Sequence, residues 1–509
     1  MAPFLGFQGN RLNLVALLGI LMPSIVSVGY NQSLLGGVLT LNAFEKQFPE
    51  ISVADAAPQE KSRTSAIQGT VVAIYAMGGM FGALSCIGLG DLFGRRRVMM
   101  IASVTQLIGA VLQTSAFSFV QLIVSRIILG LGSGGLMATT PVWLSEISPA
   151  ERRGANVSSI GLFAGLGAMI GLFVDFGMSF TAGSVGWRFP ASIPVILSLI
   201  VLGFACVLPE SPRWLIRKGR IDEARMILIA LDDKSIGNGK IEKEIKEVQN
   251  SLHLAGGGSL RQIFQMGPQR VIHRAILASM VMAFMQMTGF NAITFYTNTI
   301  FETYLQLDSV RSRILAAIYQ LISLIGGTIC VFTIEGMGRR RLLIGSAAGN
   351  SISMALIAAL GSQPDNPRAM RGAVVFIFIY HLIFVAGFGG VSPLYATEIA
   401  PLHLRATING LAIGTWWMIC VVITEITPIA IGTIQWRFFI IFAGLNAVMM
   451  VVVYFLFPET SGRSLEEVDR IFIESSSIWD SVWVAQRLPK MRGDLEGIAV
   501  PEDSVKGSA

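Results

Sequence analysis

The sequence predicts an all-α membrane protein, with twelve transmembrane helices in two pseudo-symmetric six-helix bundles. Three observations carry that prediction. The 509-residue chain is 53% hydrophobic and only 14% charged, where a soluble domain carries about 25% charged residues. Its apolar residues gather into runs that match the roughly 20 residues a helix needs to cross a bilayer. A set of short motifs also recurs once, in the same order, half a chain further on.

This composition excludes an ordinary cytosolic enzyme, and it excludes a disordered chain, which would be polar and charged. The net charge is +6 and the pI ≈ 9.2. The positive residues sit in short loops and linkers, a pattern of membrane topology rather than of a nucleic-acid patch. The lipid bilayer is therefore an expected partner and nucleic acid is not. Cys86, Cys206, Cys330 and Cys420 fall inside apolar runs without a CxxC pair, so neither a disulfide framework nor a zinc site is expected.

The runs lie near 13–37, 68–90, 98–117, 119–144, 154–178 and 189–208, then 272–297, 310–334, 342–361, 372–398, 405–430 and 436–457. Helices are expected because lipid offers no hydrogen bonds to a bare backbone. The chain divides accordingly into a first bundle (1–208), a cytoplasmic linker with short helices (209–271), a second bundle (272–457) and a cytoplasmic tail (458–509). In the linker, 220–233 and 241–254 read as amphipathic helices. Basic clusters follow spans two (Arg95, Arg96, Arg97), four (Arg152, Arg153) and eight (Arg339, Arg340, Arg341). The even-numbered loops and both termini are therefore expected on the cytoplasmic side.

The repeat is the strongest organisational signal. Asp91-x-x-Gly94-Arg95-Arg96 returns as Glu335-x-x-Gly338-Arg339-Arg340, and Glu146-Ile147-Ser148-Pro149 with Arg153 as Glu398-Ile399-Ala400-Pro401 with Arg405. Pro209-Glu210-Ser211 returns as Pro458-Glu459-Thr460, and Gly29-Tyr30-Asn31 as Gly289-Phe290-Asn291. Two equivalent halves around a central cavity are a transporter architecture.

In each acidic-x-x-Gly-Arg-Arg loop a short turn brings a carboxylate to guanidinium groups that pair bidentately with carboxylates on adjoining helices. Topology alone would explain the arginines. The recurring acid and glycine favour a cytoplasmic gate made by Asp91, Arg95, Arg96, Glu146, Arg153, Glu335, Arg339, Arg340, Glu398 and Arg405. Arg126 lies inside span four, where a charge is costly and should face the bundle interior with a partner. Gly130, Gly132 and Gly135 satisfy GxGxxG, but mid-span and without a preceding strand they do not make a nucleotide loop. No GxxxxGK[ST] occurs.

Glycine and proline interrupt span seven at Gly289, and span ten at Gly387, Gly389, Gly390 and Pro393. Broken helices are tolerated where they line a cavity. The amides of Gln286 and Asn291 donate and accept at once, which suits neutral hydroxyl-rich ligands. Trp416 and Trp417 either stack on a ligand's apolar face or face lipid. Asp175, His381 and Glu425 are further intramembrane ionisable residues and candidate proton carriers, with Asp175 read as interfacial near the outer surface. His253, His273 and His403 lie in or near loops, and no metal site or cofactor is expected.

With these residues assembled, the chain resembles the sugar porter family of the major facilitator superfamily, with a fungal flavour, from about residue 26 to 468. Pro209-Glu210-Ser211-Pro212-Arg213-Trp214-Leu215 followed by Lys218-Gly219-Arg220 carries the resemblance most specifically. Pro141-x-x-x-x-Glu146, Gln286-x-Thr288-Gly289-x-Asn291 and Pro458-Glu459-Thr460 add to it. The resemblance implies alternating access to one central sugar site, and the plasma membrane as its place.

The chain departs from that family's pattern where Asn31 stands for the proton-accepting Asp opposite Arg126, which implies facilitated diffusion rather than symport. Gly161, Met285 and Ser323 replace site amides, Pro393 replaces a Trp, and Trp416 replaces an Asn while Trp417 keeps its place. Gly161 leaves more room, and each lost hydrogen bond is worth about 0.5–1.5 kcal/mol, so a larger or less polar cargo than a hexose is open. The reading is a transporter, not an enzyme, of a sugar or sugar-like polyol. Its binding residues are Gln286, Asn291, Trp417, Asn31 and Arg126, the last two as a neutral-plus-charged pair. Alternatives are an exporter of a small fungal metabolite and a sugar sensor that does not transport.

Overall fold

The computed structural model describes residues 6–39, 41–51, 61–148, 153–231, 241–242, 245–246, 248–249, 266–267, 269–297, 300–304, 308–401, 404–463 and 465–488. Among the described residues, twelve helices are long and apolar enough to cross a membrane. The first half comprises α1 (Gly9–Val38), α2 (Ile67–Phe93), α3 (Arg95–Thr114), α4 (Phe119–Ile147), α5 (Ser159–Met178) and α6 (Val185–Val207). The second comprises α7 (Val271–Thr294), α8 (Val310–Met337), α9 (Arg339–Gly361), α10 (Pro367–Ile399), α11 (Arg405–Thr433) and α12 (Arg437–Leu456). Each overlaps one expected run. Several extend past it, because hydropathy marks only the stretch in hydrocarbon while backbone hydrogen bonding continues beyond.

In the first half α4 packs on α2 and α3, α5 on α1, and α6 on α3. In the second, α10 and α12 pack on α9, and α11 on α7. The seam between halves is closed by α2 against α11 and α5 against α8. The repeat makes α2 equivalent to α8 and α5 to α11, so the two seam pairs are copies of one another.

The mid-span glycines serve helix contact, not a nucleotide. A Cβ on Gly130 would lie 2.1 Å from the Tyr75 carbonyl oxygen, and one on Gly134 2.0 Å from that of Gly79. Small residues at such positions let backbones approach closely. A buried polar network then ties four helices of the first half together. Gln106 Nε2 donates to Ser27 Oγ (3.0 Å) and Ser133 Oγ (2.9 Å), and Ser198 Oγ donates to Gln106 Oε1 (3.1 Å).

Both expected interruptions are present. The helix of α7 stops at Met287 and resumes at Phe290–Thr294, with Gly289 at φ +97° between. The freed Thr288 carbonyl accepts from Tyr380 Oη and Asn446 Nδ2, each at 3.1 Å. A broken membrane helix needs such replacement partners. In α10 a π-helical turn, Val385–Gly389, separates Pro367–Phe384 from Gly390–Ile399.

Between the halves run short helices Pro212–Arg217 and Ile221–Leu231. The helix expected at 220–233 thus appears. The one expected at 241–254 falls largely outside the described residues, though Ile241, Ile245 and Val248 pack with Trp214, Leu215 and Ile227 in a small separate core. After α12 come α13 (Leu465–Glu474) and α14 (Ser481–Arg487).

Candidate functional site

The recurring basic loops sit at equivalent corners of the two halves. Arg95 opens α3, where its guanidinium meets Glu146 of α4 at 3.2 Å and Asp91 at 3.6 Å. Arg339 opens α9 and binds Glu335 at 2.9 Å and Glu398 of α10 at 2.8 Å. Both arginines are buried. These pairs fasten helices of the same half. Asp91 also binds Arg217 of the linker at 2.8 Å, a partner that the spacing of motifs did not reveal.

Arg96 and Arg340 behave differently from their neighbours. Arg96 donates to the carbonyls of Ala205 and Cys206 at the end of α6. Arg340 donates to the Tyr454 carbonyl near the end of α12, with its guanidinium 4.9 Å from the Tyr454 ring centroid. Each caps a helix C-terminus, where unsatisfied carbonyls attract cations. Arg405 is buried. The Arg153 side chain lies outside the described residues.

Two carboxylates at these corners were absent from the expected gate. Glu210 accepts the backbone N–H groups of Arg95 (3.0 Å) and Arg96 (3.1 Å), and Glu459 those of Arg339 (2.9 Å) and Arg340 (3.1 Å). Each carboxylate thus caps the start of α3 or α9, where exposed N–H groups favour an anion. Their signal was visible in the sequence, since Pro-Glu-Ser recurs as Pro-Glu-Thr. The motif glycines are explained as well. Gly94 and Gly338 have φ +90° and +86°, and a Cβ on either would lie 2.5 Å from the capping carboxylate. Burial pushes the Glu210 carboxyl above its usual range, against the opposing pull of the Ser211 and Arg96 N–H groups.

The middle of the molecule gathers polar groups from both halves. Gln286 and Asn291 are fully buried and turned away from lipid. Asn291 Nδ2 donates to Gln286 Oε1 at 2.8 Å and to Cys420 Sγ at 3.0 Å. This leaves Gln286 Nε2 as a donor and Asn291 Oδ1 as an acceptor without protein partners. Trp417 is also fully buried, and its indole N–H is unpartnered. Its ring stands edge-on to Tyr75 of the first half, centroids 5.5 Å apart. Trp416 is turned inward too, edge-on to Trp417 at 4.6 Å, which settles its orientation against lipid.

Asn31 and Arg126 are both buried, yet no hydrogen bond joins them. Asn31 Nδ2 donates to the Ser27 carbonyl one turn back at 2.8 Å. Arg126 donates to the Val72 carbonyl at 3.4 Å and lies 4.8 Å from the Tyr75 ring centroid. The expected pair is thus replaced by separate contacts. An amide can bond its own helix, and a guanidinium without a carboxylate finds an aromatic face.

Gly161, expected to widen the site, does not do so here. A Cβ there would lie 3.0 Å from the Gly389 carbonyl of α10, so backbone fills the space. His381 Nε2 lies 2.6 Å from Ser323 Oγ. Glu425 accepts from Thr70 across the seam at 2.8 Å. Asp175, near the end of α5, is buried and nested against Gly37 of α1, whose missing side chain makes the room. His273 is buried in the first turn of α7 against Phe472. His253 and His403 lie outside the described residues.

Comparison with known proteins identifies the family and the fold. The family described as "Sugar (and other) transporter" matches residues 14–472. The Sugar transporter STL1 of Saccharomyces cerevisiae is 33% identical over 470 residues, covering 91% of this chain and 82% of that protein. The MFS-type transporter oryC of Aspergillus oryzae is 33% identical over 452 residues, covering 87% and 82%. Among solved structures, the proton:xylose symporter XylE bound to 6-bromo-6-deoxy-D-glucose superposes with a TM-score of 0.78 at 22% identity, covering 91% of this chain and 98% of that one. The chain belongs to the sugar transporter family of the major facilitator superfamily, and it is an integral, multi-pass membrane protein.

Proposed function

We propose that this member of the sugar transporter family carries a sugar or sugar-like polyol by alternating access, as facilitated diffusion rather than proton symport. Its place is the plasma membrane, with both termini cytoplasmic. The observation that carries the reading is the Gln286–Asn291 pair. One unpartnered donor and one unpartnered acceptor, both buried, match the two faces of a hydroxyl group. Trp417 offers an apolar wall beside them. Relatives named as a sugar transporter and as a low-affinity glucose transporter support the substrate class.

The preference for diffusion rests on Asn31, whose amide does not titrate in the physiological range and is engaged with its own helix. Arg126 is accommodated by the Tyr75 ring instead of by a carboxylate. The cytoplasmic gate comprises Asp91, Arg95, Arg96, Glu146 and Arg153 in the first half, and Glu335, Arg339, Arg340, Glu398 and Arg405 in the second. Glu210 and Glu459 hold the helix starts on which those arginines sit.

Flux into proteoliposomes, measured over a panel of monosaccharides and polyols, tests both parts. Saturable entry that stops at equal concentrations, with or without an imposed proton gradient, is expected. Entry no faster than into protein-free vesicles for every compound ends the substrate assignment. Uphill accumulation driven by protons ends the diffusion assignment alone.

A further inference from the structure

The tail beyond α12 is bolted to the second half and carries apolar side chains left exposed among the described residues. Asp469 of α13 pairs with the buried Arg274 at the start of α7. Phe472 packs under that guanidinium, 4.9 Å from its ring centroid, and against His273. Arg463, just beyond the end of α12, donates to the carbonyls of Ala485 and Leu488 and so holds α14 beside α12. Asp480 accepts from the Ser476 N–H (3.1 Å) and hydroxyl (3.0 Å), which fixes the turn before α14.

These ties determine which way the tail faces. Val482 and Ala485 point inward and are buried. Trp479 (63% exposed) and Trp483 (60%) point outward four residues apart, and Ile478 and Ile473 are exposed as well. On α12 itself Val448, Val451, Tyr454 and Phe455 form the exposed stripe that must meet lipid. The tail leaves from the end of α12, and α14 packs back beside that helix. Arg487 adds a cation in the last turn of α14.

We infer that α14 and the turn before it are an interfacial anchor, seated on the lipid surface with the Trp479 and Trp483 indoles between headgroups and acyl chains. Tryptophan favours that boundary because its ring is apolar and its N–H is polar. A short amphipathic helix lying in the interface plane buries such a face there. The anchor is independent of the transport reading and of the cargo. Its rigid attachment to α7 and α12 means that it holds the second half level in the bilayer.

The test uses the full chain in phosphatidylcholine nanodiscs, compared with W479F/W483F. Tryptophan emission is quenched either by lipid brominated high on the acyl chain or by aqueous iodide. The emission lost in the double variant should be strongly quenched by brominated lipid and shielded from iodide. If iodide quenches it and lipid does not, the tail stands in water and the proposal fails. If neither quenches it, protein covers the face, whether a second copy or another partner, and the proposal also fails. Should the double variant misfold, a spin label at W483C gives the same decision, with oxygen accessibility exceeding that of aqueous nickel expected.

Discussion

The Trp417 indole meets the Tyr75 ring edge-on, 5.5 Å between centroids, across the seam between the two halves. Tyr75 also lies against the buried Arg126 guanidinium. One aromatic contact therefore links the proposed substrate site to the charge inside the first half. An aromatic pair of this kind is worth about 0.5–1.5 kcal/mol beyond its burial. Replacing Trp417 with Ala should raise the KM for transport by up to about tenfold, the equivalent of about 1.4 kcal/mol. Trp417→Phe should retain most of the affinity. An unchanged KM in the Ala variant would remove Trp417 from the site.

The glycines of the basic loops are predicted to be irreplaceable. Gly94→Ala and Gly338→Ala each force a side chain into a left-handed conformation and against a capping carboxylate. Both should lower the melting temperature in detergent. Glu459→Ala should do so as well, by loss of a helix cap worth about 0.5–2 kcal/mol. Thermal unfolding of the purified variants reads all three.

Glu210 gives the cap a pH dependence. Burial raises its carboxyl above the usual range. A group whose folded pKa is raised contributes stability that is fully present below its unfolded pKa, about 4.3. That contribution is lost as pH rises through the folded value. Wild type should therefore gain stability relative to Glu210→Gln on acidification from neutral pH toward the carboxylate range. Melting temperatures that shift in parallel for both proteins would contradict this.

At the end of the seam near the basic loops, Asn409 Nδ2 of α11 donates to the Ala138 carbonyl of α4 at 3.0 Å. Removing that bond with Asn409→Ala weakens closure by about 0.5–1.5 kcal/mol. The population open at that end should rise by up to about tenfold, since 1.4 kcal/mol is a factor of ten. Electron–electron distances between spin labels at the exposed positions 97 and 341 should then broaden toward longer values.

Asn31→Asp places a titratable group in the interior of the first half, which also holds the buried Arg126. It also removes the donor that bonds the Ser27 carbonyl. Flux through this variant should become dependent on external pH where that of the wild type is flat. Equal pH profiles would show that position 31 has no role in ion coupling.

Much of this was legible in the chain. Span number, the break in α7 at Gly289 and the π-helical turn in α10 follow from hydropathy and from glycine and proline placement. The repeat marked both basic loops, and it marked Glu210 and Glu459 without revealing what they cap. Other features were not legible because they depend on helix packing. That Asp175 is buried depends on Gly37 of α1, which leaves a notch for it. Gly161 looks like added room but is filled by α10 backbone.

Hydropathy and the internal repeat by themselves determined a membrane chain of two equivalent halves, because lipid forbids bare backbone and duplicated motifs require duplicated structure. Which guanidinium meets which carboxylate was decided only by tertiary structure. Arg95 and Arg96 are chemically identical, but at 3.6 residues per turn neighbouring side chains point about 100° apart. One turns to Glu146 and the other to the end of α6. That rotation, together with the helices packed around it, makes one arginine part of an ion-pair cluster and the next a helix cap.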